Sequence, residues 1–333
     1  MPGLPPWVRA GRSRRCGIAL LVLTSSLAVS GQTRQPSSPP AELVTPHIPG
    51  VVAAGTRVEL VSGRFRRTEG PVGMSDGSLL FTEADSIIRI DTQDHVSTFV
   101  ERSNASNALA FDSTGRLISV QRAAGNEKVG VLYPRESAAT LADNFGGKPF
   151  SRLNDLVVNR RGGMYFTDAN GVYYLSPDRR LALVAQGIRN PNGVILSPGE
   201  QVLYANDKDG EYLLAFDVAA DGMLRNRRNF AKYGSVRIPG HKDPALAADN
   251  GADGLAIDND GRLYVATNLG VEIFSSRGAH LGVIPVVWGG PFDLQKPQNV
   301  AFAGLDRKTL YIVGAGAVFK VRMLAQGIQH RAK

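Results

Sequence analysis

The sequence predicts an all-β fold, a six-bladed β-propeller with a polar site in its central channel. Three observations predict it. First, six phrases of one design recur: EGPVGMSDGSLLFTE from Glu69, NALAFDSTGRLISVQ from Asn107, NDLVVNRRGGMYFTD from Asn154, NGVILSPGEQVLYAN from Asn192, DGLAIDNDGRLYVAT from Asp253 and NVAFAGLDRKTLYIV from Asn299. Second, their polar heads are about 46 residues apart on average, the length of a four-stranded propeller blade. Third, runs such as LYVAT, MYFTD and LLFTE are aromatic and β-branched and bounded by Gly, Asp and Asn. That pattern reads as short strands and leaves little room for helix.

The elements follow in chain order. Residues 1–31 carry Arg9, Arg12, Arg14 and Arg15, then the apolar run GIALLVLTSSLAV, then the small residues Ala28, Ser30 and Gly31. This is the three-part plan of a secretory signal, and the apolar run is too short to span a bilayer comfortably. Arg14-Arg15 also admits the twin-arginine route, so the mature chain is expected to be periplasmic or secreted, without a membrane anchor. The single cysteine, Cys16, lies inside this segment, so no intramolecular disulfide forms. Losing four arginines and no acid takes the net charge from +8 to about +4. No basic run with interleaved aromatics exists, so nucleic acid is not an expected partner.

Residues 32–55 are rich in Pro, Ser, Gln and Ala without a sustained period and read as a flexible linker. The propeller domain is expected over 56–325. Its edge problem is solved if TRVELV (56–61) pairs with AVFKVRM (317–323) in the last blade. The longest head-to-head interval, from Asn192 to Asp253, holds AKYGSVRIPGHKDPALAADNGA, expected to overhang the channel mouth. His241 in that loop is the one histidine within conceivable reach of a site. Residues 326–333 read as a loose tail.

The first strand of each propeller blade lines the channel, so the heads Glu69, Asn107, Asn154, Asn192, Asp253 and Asn299 are expected to ring its mouth. Two carboxylates among amide oxygens form a hard, oxygen-only site that favours Ca²⁺ over softer metals. Asn and Asp-Gly before a strand are also ordinary turn formers. Glu69 is a poor turn residue and tips the balance towards a site, whereas Asn107 and Asn299 read as structural. Asp168, Asp207 and Glu83, which close the second strands of their blades, read as turn or packing residues.

The phrases TEGPV (68–72), RLND (152–155) with GGMYFTD after it, NPNGVILSP (190–198) and ADGLAID (252–258) stand in an order that resembles the family of gluconolactonases, senescence marker protein and luciferin-regenerating enzyme. The resemblance covers about 58–323. It implies one divalent cation in the channel, Ca²⁺ in the first instance with Zn²⁺, Mn²⁺ or Mg²⁺ as alternatives, held by Glu69, Asn192 and Asp253. It implies substrate contacts from Arg152 and Asn154, and Asp253 as the catalytic acid/base. The chain departs from the family pattern at Gly73, where an aromatic is common, and the glycine is expected to remove an aromatic near the mouth. It departs again at Ala252 in place of Pro and Ala108 in place of Gly.

The expected activity is hydrolysis of sugar lactones by a monomer acting on a small molecule. Lactonase or phosphotriesterase action on other substrates, and a non-catalytic binding propeller, are the alternatives. No G-x-S-x-G elbow is present to suggest a covalent serine route.

Overall fold

The computed structural model describes residues 42–234, 250–286 and 296–329. The signal segment, the linker before residue 42, His241 with most of the long loop, and the last four residues lie outside the described residues. Within them the chain forms six four-stranded antiparallel sheets. Blade 1 comprises Glu69–Gly73, Leu79–Glu83, Ser86–Ile90 and Val96–Glu101. Blade 2 comprises Ser106–Phe111, Leu117–Gln121, Lys128–Tyr133 and Ala139–Ala142; blade 3 Leu156–Val158, Met164–Asp168, Gly171–Leu175 and Leu181–Ala185. Blade 4 runs Pro191–Leu196, Val202–Asp207, Tyr212–Val218 and Leu224–Lys232, and blade 5 Leu255–Ile257, Leu263–Thr267, Gly270–Phe274 and His280–Ile284.

Blade 6 takes Asn299–Ala303, Thr309–Gly314 and Ala317–Arg322 from the C-terminal region and its outer strand, Val58–Ser62, from the N-terminal one. The clasp is antiparallel, with Val58 opposite Val321 and Leu60 opposite Phe319. It covers the strand edge that Ala317–Arg322 would otherwise present for pairing with another chain. The innermost strands touch their neighbours in cyclic order, blade 6 against blade 1 included, so the ring is closed.

The sheets are buried on both faces, which explains why the middle strands are unbroken apolar runs rather than alternating ones. Buried apolar side chains of the described residues divide into six clusters, one at each blade junction. Leu79 and Phe81 point from blade 1 to Ala301, Tyr311 and Val318 of blade 6. Leu80, between them, points the other way to Leu109 and Leu117 of blade 2. A one-residue slip would exchange the two faces, so the register is specified at every junction. The hairpins joining first and second strands sit at the far end of the channel, where the acid at the start of the turn caps it. Asp112 Oδ1 accepts from Thr114 N and Arg116 N, and Asp258 Oδ1 from Asp260 N and Arg262 N, with an Arg on the second oxygen in both.

Two expectations are corrected. Residues 42–55, read as flexible linker, are ordered and packed. Ile48, Val51 and Val52 are fully buried against blades 5 and 6, and Val51 O accepts from Leu324 N and Ala325 N. Three aliphatic residues in a polar, proline-rich stretch were enough to bury it, although they show no strand or helix period. The first part of the tail, residues 326–329, is likewise held: Gly327 bridges Asp258, and Gln326 Nε2 donates to Asp306 O.

Candidate metal and active site at the axial mouth

Each inner strand begins at the same end of the ring with its polar head. Glu69 and Asn299 are the first residues of their strands, Asn107 and Asn192 the second, and Asn154 and Asp253 precede theirs by two. Glu69, Asn107, Asn192, Asp253 and Asn299 are buried, and Asn154 is half-buried. The glycine that follows three of the heads has a packing reason. A Cβ on Gly70 would overlap Ala108 and Asn107 O, one on Gly193 would overlap Asp253 O, and one on Gly254 would overlap the Asn299 amide. Only Gly70 has a positive φ, +49°. The EG, NG and DG pairs are therefore not turns. They are places where one inner strand meets the next with no space for a side chain.

In blades 1 to 4 the side chain that ends the second strand lies beside the loop that leads into the head, and fixes it. Glu83 Oε1 accepts from Arg66 N at 3.1 Å and Asp168 Oδ2 from Ser151 N at 3.4 Å. Asp207 accepts from Arg189 N at 3.2 Å and Asn190 N at 3.1 Å, and Gln121 Oε1 from Asn104 Nδ2 at 3.0 Å. Residues read as blade packing thus hold the loops that carry the site.

At the centre of the mouth stand two carboxylates. Glu69 Oε2 accepts from Gly70 N at 3.1 Å and Asn299 Nδ2 at 3.2 Å, while Gln298 Nε2 lies 3.4 Å from Oε1. Burial, and then the neighbouring Asp253 charge, push the Glu69 carboxyl up to about 8. Asp253 is placed by its backbone: its carbonyl accepts from Gly193 N at 3.1 Å and from Asn206 Nδ2 at 2.5 Å. Asn206 is in turn held by the buried Tyr233 hydroxyl at 2.6 Å. Lys208 Nζ and Lys296 Nζ stand 3.7 and 4.0 Å from Asp253 Oδ2.

Asn192 lies on the adjacent inner strand. Its Oδ1 is buried with no hydrogen-bond partner. A buried acceptor left unmade costs about 1–3 kcal/mol. Two buried carboxylates side by side add mutual repulsion. A divalent cation bound between Glu69, Asn192 and Asp253 relieves both, so the residues present fit the group. Among the described residues no three His, Cys, Asp or Glu side chains converge, and the atoms offered by these three residues are oxygens of a carboxylate pair and an amide. That set suits Ca²⁺.

Asn107 turns inward to its neighbours: Nδ2 donates to Asn154 O at 2.9 Å, and Oδ1 accepts from both Arg67 Nη2 at 2.6 Å and Arg122 Nη1 at 2.8 Å. Arg152 sits at the rim, exposed, in the left-handed region at φ +58°, with Nη2 3.1 Å from Asn190 Oδ1. Glu69, Asn154, Asn192 and Asp253 thus stand at the same end of the ring, with Glu69 and Asp253 close enough to act on each other's charge, and Arg152 lies on the loop before Asn154. Sequence reasoning missed Arg67, Arg122, Lys208, Lys296 and Gln298. None belongs to the repeated phrase, and their only signal was position within three residues of a head or of a second-strand end.

Two departures acquire reasons. Gly73 ends the strand that Glu69 begins and so lies at the opposite end of the channel. There a Cβ would overlap the buried Arg307 guanidinium and Phe302 O. Reading it as a lost aromatic near the mouth is corrected. Ala252 N donates to Asn250 Oδ1 at 2.7 Å, a bond that proline has no hydrogen to make.

A ring of six blades clasped by its N-terminal strand, with buried carboxylates and amides at the axial mouth, defines a six-bladed propeller with a polar central site. The chain belongs to the SMP-30/Gluconolactonase/LRE-like family, which it matches over residues 67–316. It is 29% identical over 317 residues to a gluconolactonase of Zymomonas mobilis, covering 84% of each chain. It is 28% identical over 209 residues to lactonase drp35 of Staphylococcus aureus, covering 59% of this chain and 61% of that one. Two solved structures share its fold. A gluconolactonase from Xanthomonas campestris matches with TM-score 0.68 and 24% identity, over 85% of this chain and 94% of that one. A calcium-binding regucalcin from Agrobacterium tumefaciens matches with TM-score 0.64 and 16% identity, over 82% and 96%.

Proposed function

We propose that this protein is an exported, divalent-cation-dependent hydrolase that opens sugar lactones. The observation that carries the reading is the buried Glu69–Asp253 pair facing the unpartnered Asn192 Oδ1, in a chain whose relatives bear the names gluconolactonase and lactonase. Glu69, Asn192 and Asp253 hold the cation, most simply Ca²⁺. When bound, that ion supplies a Lewis acid for the lactone carbonyl and the charge developed on its oxygen.

The chain's own side chains do the rest. Asp253 removes a proton from the attacking water and returns it to the ring oxygen as the ester bond breaks. The carbonyl contacts from Gly193 and Asn206 hold its backbone while it does so. Lys208 and Lys296 stand beside the same carboxylate and offset its repulsion with Glu69. Asn154 and Arg152 fix the ring hydroxyls by hydrogen bonds, which limits the substrate to orientations that place the carbonyl over the carboxylate pair. The left-handed backbone at Arg152 costs on the order of 1 kcal/mol and aims a long donor inward from the rim.

The test is proton release from a panel of aldonic and aliphatic lactones with and without Ca²⁺, for the wild-type chain and for Asp253→Asn. The substitution is expected to leave the fold intact and lower kcat by 10³-fold or more, on the order expected for losing a general base together with a cation ligand. Turnover retained in Asp253→Asn refutes the assignment. Turnover unchanged by EDTA refutes the cation.

A further inference from the structure

Charge at the mouth is lopsided in a way that lactone opening alone does not explain. Arg67 Nη2 and Arg122 Nη1 donate to one and the same atom, Asn107 Oδ1. Two like charges are held within one hydrogen-bond length of a single neutral acceptor. Among the described residues neither Arg67, Arg122 nor Arg152 has a carboxylate oxygen in ion-pair range. The charges that act on Arg122 are Arg67 and Arg152, which push its pKa down with burial, and Glu69 and Asp253, which oppose them. Of those two, Asp253 already has Lys208 and Lys296 beside it, and on the reading above both carboxylates hold a divalent cation. Five cationic side chains therefore stand at the opening with Glu69 and Asp253, while Glu83, Asp168 and Asp207 at the same end accept from the backbone of the loops.

The cations also divide by position. Lys208 and Lys296 stand against Asp253, where the chemistry is placed. Arg67, Arg122 and Arg152 come from the loop before blade 1, the end of the second strand of blade 2 and the loop before blade 3. They form one sector of the rim beside Asn107 and Asn154. Guanidinium forks suit a planar or tetrahedral oxyanion, which they bind bidentately. Clustering them without a counter-charge leaves repulsion that an incoming anion removes.

We propose that the physiological substrate is an anionic lactone, a ring bearing a phosphate ester or a carboxylate, and that Arg67, Arg122 and Arg152 bind this group while the ring carbonyl sits over Glu69 and Asp253. The inference rests on the lactonase reading and deepens it. An anionic group on the rim also steers the substrate, since a cationic mouth attracts it over distances set by salt.

The experiment compares three lactones of one aldonic ring with the Ca²⁺-loaded full chain: the neutral one, its terminal phosphate ester and its terminal carboxylate. The expected result is a kcat/KM for an anionic lactone at least tenfold above the neutral one, expressed mainly in KM and diminishing as NaCl rises. Preference for both anions identifies the sector as a general oxyanion site, and preference for the phosphate alone as a dianion site. Arg122→Gln and, separately, the rim variant Arg152→Gln should each reduce that preference by about tenfold to a hundredfold, as for losing one charge-assisted contact. Calorimetry with the phosphorylated and unphosphorylated open-chain acids reads binding without turnover, and should give tighter binding of the phosphorylated acid that Arg122→Gln abolishes. Equal kcat/KM for neutral and charged lactones, with no salt dependence, overturns this inference and leaves the lactonase reading standing. No hydrolysis of any of the three, together with no binding of either acid, overturns both.

Discussion

Replacing Glu69 by Gln separates the charge at the mouth from the shape of the mouth. In metal-free protein the Glu69 carboxyl keeps its proton up to about pH 8, whereas the unfolded chain releases it near 4.5. The native state therefore binds the extra proton between these values. Its stabilising contribution is complete below pH 4.5 and is lost as pH rises through 8. At about 1.4 kcal/mol per pKa unit, the loss across the window is about 3–5 kcal/mol. Urea unfolding in EDTA at pH 5, 6.5 and 8 should show wild-type stability falling accordingly. Glu69→Gln keeps the volume and removes the titration, so its curve should be flatter, converging with wild type at pH 5 and exceeding it at pH 8. Adding Ca²⁺ narrows the gap at pH 8: at a hundred times Kd the ion adds about 2.7 kcal/mol to wild type. That gain should be larger at pH 8 than at pH 5, because ion and proton compete for one carboxylate, and small in the variant. Parallel pH curves for the two proteins, or an equal Ca²⁺ gain in both, would refute the buried-pair argument.

Other expectations are simpler to read. Asn192→Leu, close in size, removes the unpartnered oxygen; it should leave metal-free stability within about 1 kcal/mol of wild type or above it, and abolish the Ca²⁺-induced rise in Tm. A chain starting at Thr56 loses Ile48, Val51 and Val52 from the core, worth about 5 kcal/mol or more, and should melt on the order of 10 °C lower by calorimetry. Arg152→Gly matches the left-handed backbone better, so Tm should hold to within a few degrees while KM for the preferred substrate rises about tenfold or more. A large loss of Tm in that variant would mean the arginine holds the loop rather than serving the site.

The ring was legible because its signal repeats: six heads, six pairs of apolar strands and a turn between them leave few alternatives. That all six heads stand at one end of the ring was legible for the same reason, since equivalent positions in a ring lie at the same height on the axis. The rest was not periodic. Arg67 and Arg122 reach Asn107 from different loops and different blades, and nothing in the chain order marks them as neighbours. Residues 42–55 carry only three large buried side chains among prolines and small residues, too few to register as an element although enough to pack. Gly73 was placed at the wrong end because the strand was taken as a motif rather than as a rod with two ends. The acids closing the second strands looked like packing residues, and only the antiparallel pairing brings them beside the loops they hold.

Gly70, Gly193 and Gly254 have a consequence for tolerance. At these points one peptide plane lies directly on the next blade, so the aperture is measured in backbone thickness, the least adjustable dimension a protein has. Side-chain packing behind the strands can drift through evolution, swapping one aliphatic for another, without the gauge at the axis changing. Cation coordination accepts deviations of only about 0.2 Å. A ring whose bore is set by main chain touching main chain at Gly70 and Gly193, and an amide at Gly254, would meet that tolerance without asking the blades themselves to be conserved in detail.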